Sequence, residues 1–300
     1  MTSADAQPFK SNHLLGILLT LAGGITLSTG GTLVRLFEDT DGWTIMFYRG
    51  LSFFAMMFVI VCFRSRGRVV ERYRAIDATG LAIGVCLGLG LISYLFAMLN
   101  TTVANVYFVV GASPLVTALL AWAVLGERIS LRTGVILTAA LLGIGVMVAE
   151  GLATGRMLGN VIALGTLGTF AVFVILLRKA RAFDMLAATS LAGLVAAAVA
   201  AFMADTLYIS LHDLILAIIF GAVQIGLGFT FITYAARHIP AAELMLLSLS
   251  ESILGPVWVW LVVAEVPSVS TLLGGAIVLG CVGLYAMFAL YEHGSGRAAP

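Results

Sequence analysis

Residues 241–260 read AAELMLLSLSESILGPVWVW. As a helix, twenty residues are about 30 Å long, close to the hydrocarbon thickness of a bilayer. Yet the stretch carries two carboxylates, Glu243 and Glu251, and a proline, Pro256. An unpaired carboxylate is costly in a soluble core. It is costly again in lipid, where ionisable side chains face a protein interior or a wet cavity. The surrounding solvent therefore decides the fold, and composition identifies that solvent. Of 300 residues, 61% are hydrophobic and 10% charged, with mean hydropathy +1.10. Soluble domains carry about 25% charged residues. So few charges cannot cover a water-facing surface, so the expected class is an all-α polytopic membrane protein with the lipid bilayer as partner.

Ten apolar runs of bilayer length follow, near 14–36, 43–63, 77–99, 103–125, 131–149, 159–177, 185–204, 212–236, 241–263 and 269–290. The first, at about 23 residues, is too long for a signal-peptide core and is expected to be retained as a span. Short connections leave little room for an extramembrane domain. Thirteen of the sixteen cations fall on one side of this alternation, five of them in RSRGRVVERYRAID after span 2. The positive-inside rule then places both termini in the cytoplasm. The tails would be 1–13 and 291–300, and the protein a multi-pass component of the inner (plasma) membrane. Net charge +1, with no basic patch interleaved with aromatics, gives no reason to expect nucleic acid. Cys62, Cys86 and Cys281 lie in or beside apolar runs without metal-ligand spacing. No GxxxxGK[ST] or strand-borne GxGxxG occurs, so no nucleotide site or cofactor is expected.

The chain also matches itself. A shift of 138 lays Trp122 on Trp260, Glu127 on Glu265, Ser130 on Ser268 and Gly145 on Gly283. A shift of 143 lays Gly16 on Gly159 and Arg35 on Arg178. Two five-span repeats are expected, 14–149 and 159–290, and five being odd, the second enters the membrane inverted. Inverted repeats are a common construction for secondary transporters. Pro114 falls on Ser252 rather than on Pro256, so the halves need not hinge at equivalent points.

These features resemble the drug/metabolite transporter superfamily, in its EamA-type branch. The residues carrying the resemblance are Pro114, Trp122, Gly126 and Glu127 in one repeat and Glu243, Pro256, Trp260 and Glu265 in the other. Within that family the chain is most similar to bacterial exporters of aromatic amino acids. The resemblance implies export of small metabolites through a cavity formed by spans 1–4 and 6–9, with spans 5 and 10 peripheral.

Candidate residues come from polar or aromatic groups at membrane depth. Glu251 and Ser250 should point inward from span 9, near the middle of the bilayer, with Ser113 at the repeat position matching Glu251. Glu251 reads either as a binding or proton-coupling carboxylate, or as an acid hydrogen-bonded to a neighbouring span. Glu243 lies nearer the cytoplasmic end beside Arg237 and His238, where an interfacial ion pair competes with a gating role. Pro114 and Pro256 each remove a backbone hydrogen bond and serve either as pivots or as static kinks. Arg49, inside span 2, either snorkels to the headgroups or pairs with a substrate carboxylate or an acid such as Glu38. Arg35 reads as an interfacial anchor. Gln224 in span 8 can orient a polar ligand or bridge two helices. Tyr94, Tyr107, Phe170 and Trp258 are the aromatics chosen to stack on a flat apolar substrate.

The leading expectation is a secondary transporter exporting small metabolites, most of all aromatic or large apolar amino acids, by alternating access. Export of drugs or nucleotide-linked sugars is the alternative, and a passive channel is the competitor from another class. Span 1 lacks the acid on which small multidrug exporters rely, and a nucleotide-sugar carrier should show more cavity Lys or Arg. An enzyme would need His, Asp, Ser or Cys clustered at one depth, and the four histidines are scattered near span ends. A monomer or weak homodimer is expected.

Overall fold

The computed structural model describes residues 12–65, 67–126, 130–179 and 185–294. Glu127 and most of both tails lie outside them. Among the described residues there are ten helices long and apolar enough to cross a membrane: His13–Leu36, Gly42–Ser65, Ala78–Asn100, Val103–Leu125, Leu131–Glu150, Met157–Lys179, Leu186–Met203, Leu211–Ala235, Glu243–Val263 and Val269–Tyr291. They are numbered spans 1 to 10. Each expected run lies within two residues of its helix at either end. An even number of crossings brings the last span back to the end where the first began; that end is called the terminal end here, and the other the far end.

Lipid leaves no water to satisfy a backbone, so each apolar run closes its own hydrogen bonds as helix. Local polar residues set the starts. Asp77 caps span 3 by accepting from Gly80 N at 2.8 Å, Thr102 caps span 4 from Asn105 N at 3.3 Å, and Ser210 caps span 8 from Asp213 N at 3.1 Å. Spans 4 and 9 both end on a left-handed residue, Gly126 at φ 72° and Ala264 at φ 55°. Ala264 bears a side chain in that region, at a cost of about 1 kcal/mol. Its turn aims the next residue, Glu265, back over the bundle.

Spans 5 and 10 pack chiefly on each other, span 2 on span 7, span 3 on spans 6 and 7, and span 1 on spans 8 and 9. The peripheral placing of spans 5 and 10 is as expected. Spans 1 and 9 run parallel at one register of 230 residues: His13 meets Glu243, Ser28 meets Trp258, and Arg35 meets Glu265. Phe53, Met46, Ile83, Leu95 and Met98 are buried inside, whereas Phe63, Leu131, Leu142 and Phe202 stand largely exposed, as a lipid-facing surface requires.

Three spans are irregular near their middles. Span 1 is interrupted at Thr29, between His13–Ser28 and Gly30–Leu36. Span 4 is interrupted at Ala112, just before Ser113 and Pro114. Span 8 winds as a π-helix over Ile219–Leu227. Span 9 keeps its proline inside a continuous helix, Ala241–Val263, so Pro114 marks a break and Pro256 does not. Such interruptions at membrane depth persist where protein or a cavity satisfies the freed backbone groups.

Candidate functional site

In span 1 the freed groups are met by side chains from two other spans. The Tyr107 hydroxyl accepts from Gly31 N at 3.3 Å and donates toward Leu27 O at 3.1 Å and Ser28 O at 2.8 Å. It stands in the ladder where Gly31 N would otherwise bond Leu27 O. Gln224 Nε2, carried on the π-helix, donates to Leu27 O at 2.8 Å. Tyr107 reaches this position by lying flat on span 9 at Gly255, where a Cβ would meet its ring Cζ at 2.6 Å. A larger residue at 255 would push the ring away.

Against this layer sits a cavity of about 320 Å³, lined by residues from spans 1, 3, 4, 6, 8 and 9. Gly24, Pro114, Phe170, Gln224 and Glu251 each lie within a turn of their span's midpoint. Ile232, Met245 and Ser248 carry the lining toward the terminal end. Tyr94 and Tyr107, edge-to-face with centroids 6.4 Å apart, bound it toward the far end. Phe170 and Phe229 form a second edge-to-face pair, also at 6.4 Å, in the side wall. Among the described residues the lining is largely apolar, and Glu251 is its single charged residue. The Glu251 carboxylate makes no hydrogen bond or ion pair among the described residues.

Of the residues chosen from sequence, Glu251, Gln224, Tyr94, Tyr107, Ser113, Phe170 and Pro114 meet in this lining. The others are elsewhere. Ser250 Oγ faces Gly24 of span 1, buried and without a partner. Trp258 Nε1 donates to Ser28 Oγ at 3.0 Å, tying spans 9 and 1 together instead of lining the cavity. Pro256 is buried beside Gly255, outside the lining. Glu243 pairs with His13 at 2.9 Å rather than with Arg237 or His238, and His238 Nδ1 accepts from Asn12 N at 3.2 Å. These last contacts join spans 1 and 9 at the terminal end. Spans 2 and 7 do not reach the lining; their packing on each other holds them outside it.

Arg49 departs from two of the readings made of it, the snorkel and the pair with Glu38. Its side chain is 1% exposed, and among the described residues no carboxylate pairs with it. It turns inward behind Leu91 and Tyr94, with Nη1 on Leu91 O at 3.2 Å. Its guanidinium carbon lies 3.8 Å from the Phe220 ring centroid and 5.6 Å from that of Tyr94.

Arg35 is more than an anchor. Nε donates to Glu265 Oε2 at 2.6 Å, Nη1 to Met98 O at 2.7 Å and Nη2 to Thr101 O at 2.9 Å, while Glu265 Oε1 accepts from Val103 N at 2.8 Å. One ion pair thus ties spans 1, 3, 4 and 9 at the far end. The sequence marked Arg35 and Glu265 separately, each at a repeat position, and gave no sign that they meet. Beside it Asn160 Oδ1 accepts from Thr101 Oγ1 at 2.8 Å and from Asn105 Nδ2, adding span 6 to the same cluster.

A far end tied by hydrogen bonds, broken helices at mid-depth and a cavity between six spans invite comparison with transport proteins. Residues 14–149 match the EamA-like transporter family. The match covers spans 1 to 5, which form an EamA-like domain, and it points to membrane transport of small molecules. No curated protein matches the sequence. A solved crystal structure, 16% identical, covers 93% of this chain and 99% of its own with a TM-score of 0.65, a likeness of fold alone.

Proposed function

We propose that the protein is a secondary transporter that exports small metabolites, with aromatic or large apolar amino acids as the leading class. The observation that carries this reading is the mid-depth cavity, where an unpartnered carboxylate, Glu251, stands among aromatic side chains. Its volume is at the small end of ligand pockets, which run from about 300 to 1,000 Å³. Glu251 would take the substrate's ammonium group, and Phe170, Phe229 and Tyr94 would take a flat side chain by offset stacking. Residues 14–149 and 159–290 would act as inverted repeats, with both termini in the cytoplasm of a plasma-membrane protein. The cavity's reach toward the terminal end is then access from inside. The Arg35–Glu265 cluster closes the far end and must part for release. Energy would come from the substrate's own gradient, or from protons carried by Glu251. A monomer or weak homodimer suffices, since one chain contains the whole cavity.

Among the described residues the lining holds no lysine or arginine to receive phosphates, which weighs against nucleotide-linked sugars. The tyrosine layer and far-end cluster weigh against a passive channel.

The test is efflux from proteoliposomes loaded with labelled amino acids, one from each chemical class, with and without a pH gradient. Aromatic amino acids should leave faster than the controls, and Glu251→Gln should slow that efflux at least tenfold while the protein still folds. Equal efflux of every class would end the amino-acid reading. An unimpaired Glu251→Gln protein at normal expression would remove Glu251 from the mechanism.

A further inference from the structure

A guanidinium buried among hydrophobic helices normally has an anion beside it, because leaving a charge unpaired in a low-dielectric interior is strongly unfavourable. Among the described residues Arg49 has none. Its one hydrogen bond among them is from Nη1 to Leu91 O at 3.2 Å. Nε and Nη2 are both buried and unpartnered. These two N–H groups form the side-on edge of the guanidinium, the edge that takes a carboxylate through two parallel hydrogen bonds. The plane is already fixed, by Phe220 against it at 3.8 Å and by the carbonyl on Nη1. Pre-orientation of this kind lowers the entropy lost on binding.

The surroundings match. Tyr94 lines the cavity on one side and stands 5.6 Å from the Arg49 guanidinium on the other. The Tyr94 hydroxyl, a donor that a carboxylate can accept from, is also buried without a partner among the described residues. Arg49 is seven residues into span 2, roughly 10 Å from the far end at about 1.5 Å per residue. Glu251, twelve residues from the end of span 9, is roughly 18 Å from it. Toward the far end the order is therefore Glu251, the tyrosine layer with Arg49 behind it, then Arg35 and Glu265.

We propose that Arg49 anchors a second subsite, separated from the cavity by Tyr94, that binds the carboxylate of the transported molecule as it passes from Glu251 toward the far end. The ligand class is a monocarboxylate carrying an apolar body. A single guanidinium suits one negative charge better than a phosphate dianion. The subsite rests on the exporter reading for its place in a transport cycle. The identity of the ligand's charged group rests on Arg49 alone.

The test is equilibrium binding to the purified full chain in lipid nanodiscs, with phenylalanine, 3-phenylpropionate, pyruvate and phenethylamine as probes. Each is compared across wild type, Arg49→Gln, Arg49→Lys and Glu251→Gln. Arg49→Gln should weaken the carboxylates at least tenfold and phenethylamine less than threefold. Arg49→Lys should recover part of the loss, and Glu251→Gln should show the opposite preference. Equal weakening of amine and carboxylates in Arg49→Gln, or carboxylate binding that ignores the substitution, would make Arg49 a packing residue and overturn the subsite. So would the failure of every carboxylate to bind wild type, even if phenethylamine binds and keeps the exporter reading alive. Arg49-dependent binding of pyruvate or 3-phenylpropionate without phenylalanine would keep the subsite and end the amino-acid reading.

Discussion

Arg35 and Arg49 are fourteen residues apart and lie toward the same end of the bundle, yet their surroundings are opposite. Arg35 binds protein through each of its three nitrogens: one carboxylate and two backbone carbonyls at 2.6–2.9 Å, with the carboxylate's other oxygen held by a backbone N–H. Arg49 has one carbonyl, two aromatic faces and two empty donors. A cation whose partners all belong to the protein works as a clamp. A buried cation with a vacant edge gives up stability at rest and gains a place for an anion.

That contrast is best attacked through stability, since the two residues should respond with different signs. Arg35→Met should be the most damaging, because it leaves Glu265 and two carbonyls short of partners. Charged hydrogen bonds contribute about 1.5–3 kcal/mol each, and with Arg35 and Glu265 about a quarter exposed the net loss should be about 2–3 kcal/mol. It should appear as a lowered thermal midpoint in detergent micelles. Glu265→Gln comes next, at about 1 kcal/mol, because the amide oxygen still accepts one hydrogen bond. Arg49→Met should leave the midpoint unchanged or raise it, since it removes an uncompensated buried charge. Should Arg49→Met cost as much as Arg35→Met, the contrast between clamp and receptor is lost. The smallest effect belongs to the terminal end. There the His13 side chain is 61% exposed, so Glu243→Gln should change stability by about 0.5 kcal/mol or less. The same variant should leave the far-end hydrogen bonds intact, as protection of the Val103 amide in hydrogen exchange would report.

The site was partly legible in the sequence. Glu251, Gln224, Tyr107 and Pro114 were found because polar residues and prolines at membrane depth need a reason to be there, and the cavity is that reason. Trp258 and Ser250 have the same signature, yet they contact span 1, because one turn of helix separates a cavity face from a packing face. The Tyr107 hydroxyl inside the span 1 ladder had no local signal, since a tyrosine in an apolar run is ordinarily packing. Nor did the π-helix that presents Gln224.

The sequence by itself determined how many times the chain crosses, where each crossing starts and stops, and which depths hold polar groups. All three depend on transfer between water and lipid, which is settled residue by residue along the chain. Which way each helix turns was decided only in the tertiary structure. Helices that are apolar all round leave their rotation to neighbours. Packing of span 2 against spans 3, 7 and 8 therefore sent Arg49 inward to Phe220 rather than outward to the headgroups. Packing of span 9 beside span 1 likewise brought Glu265 to Arg35 across 230 residues.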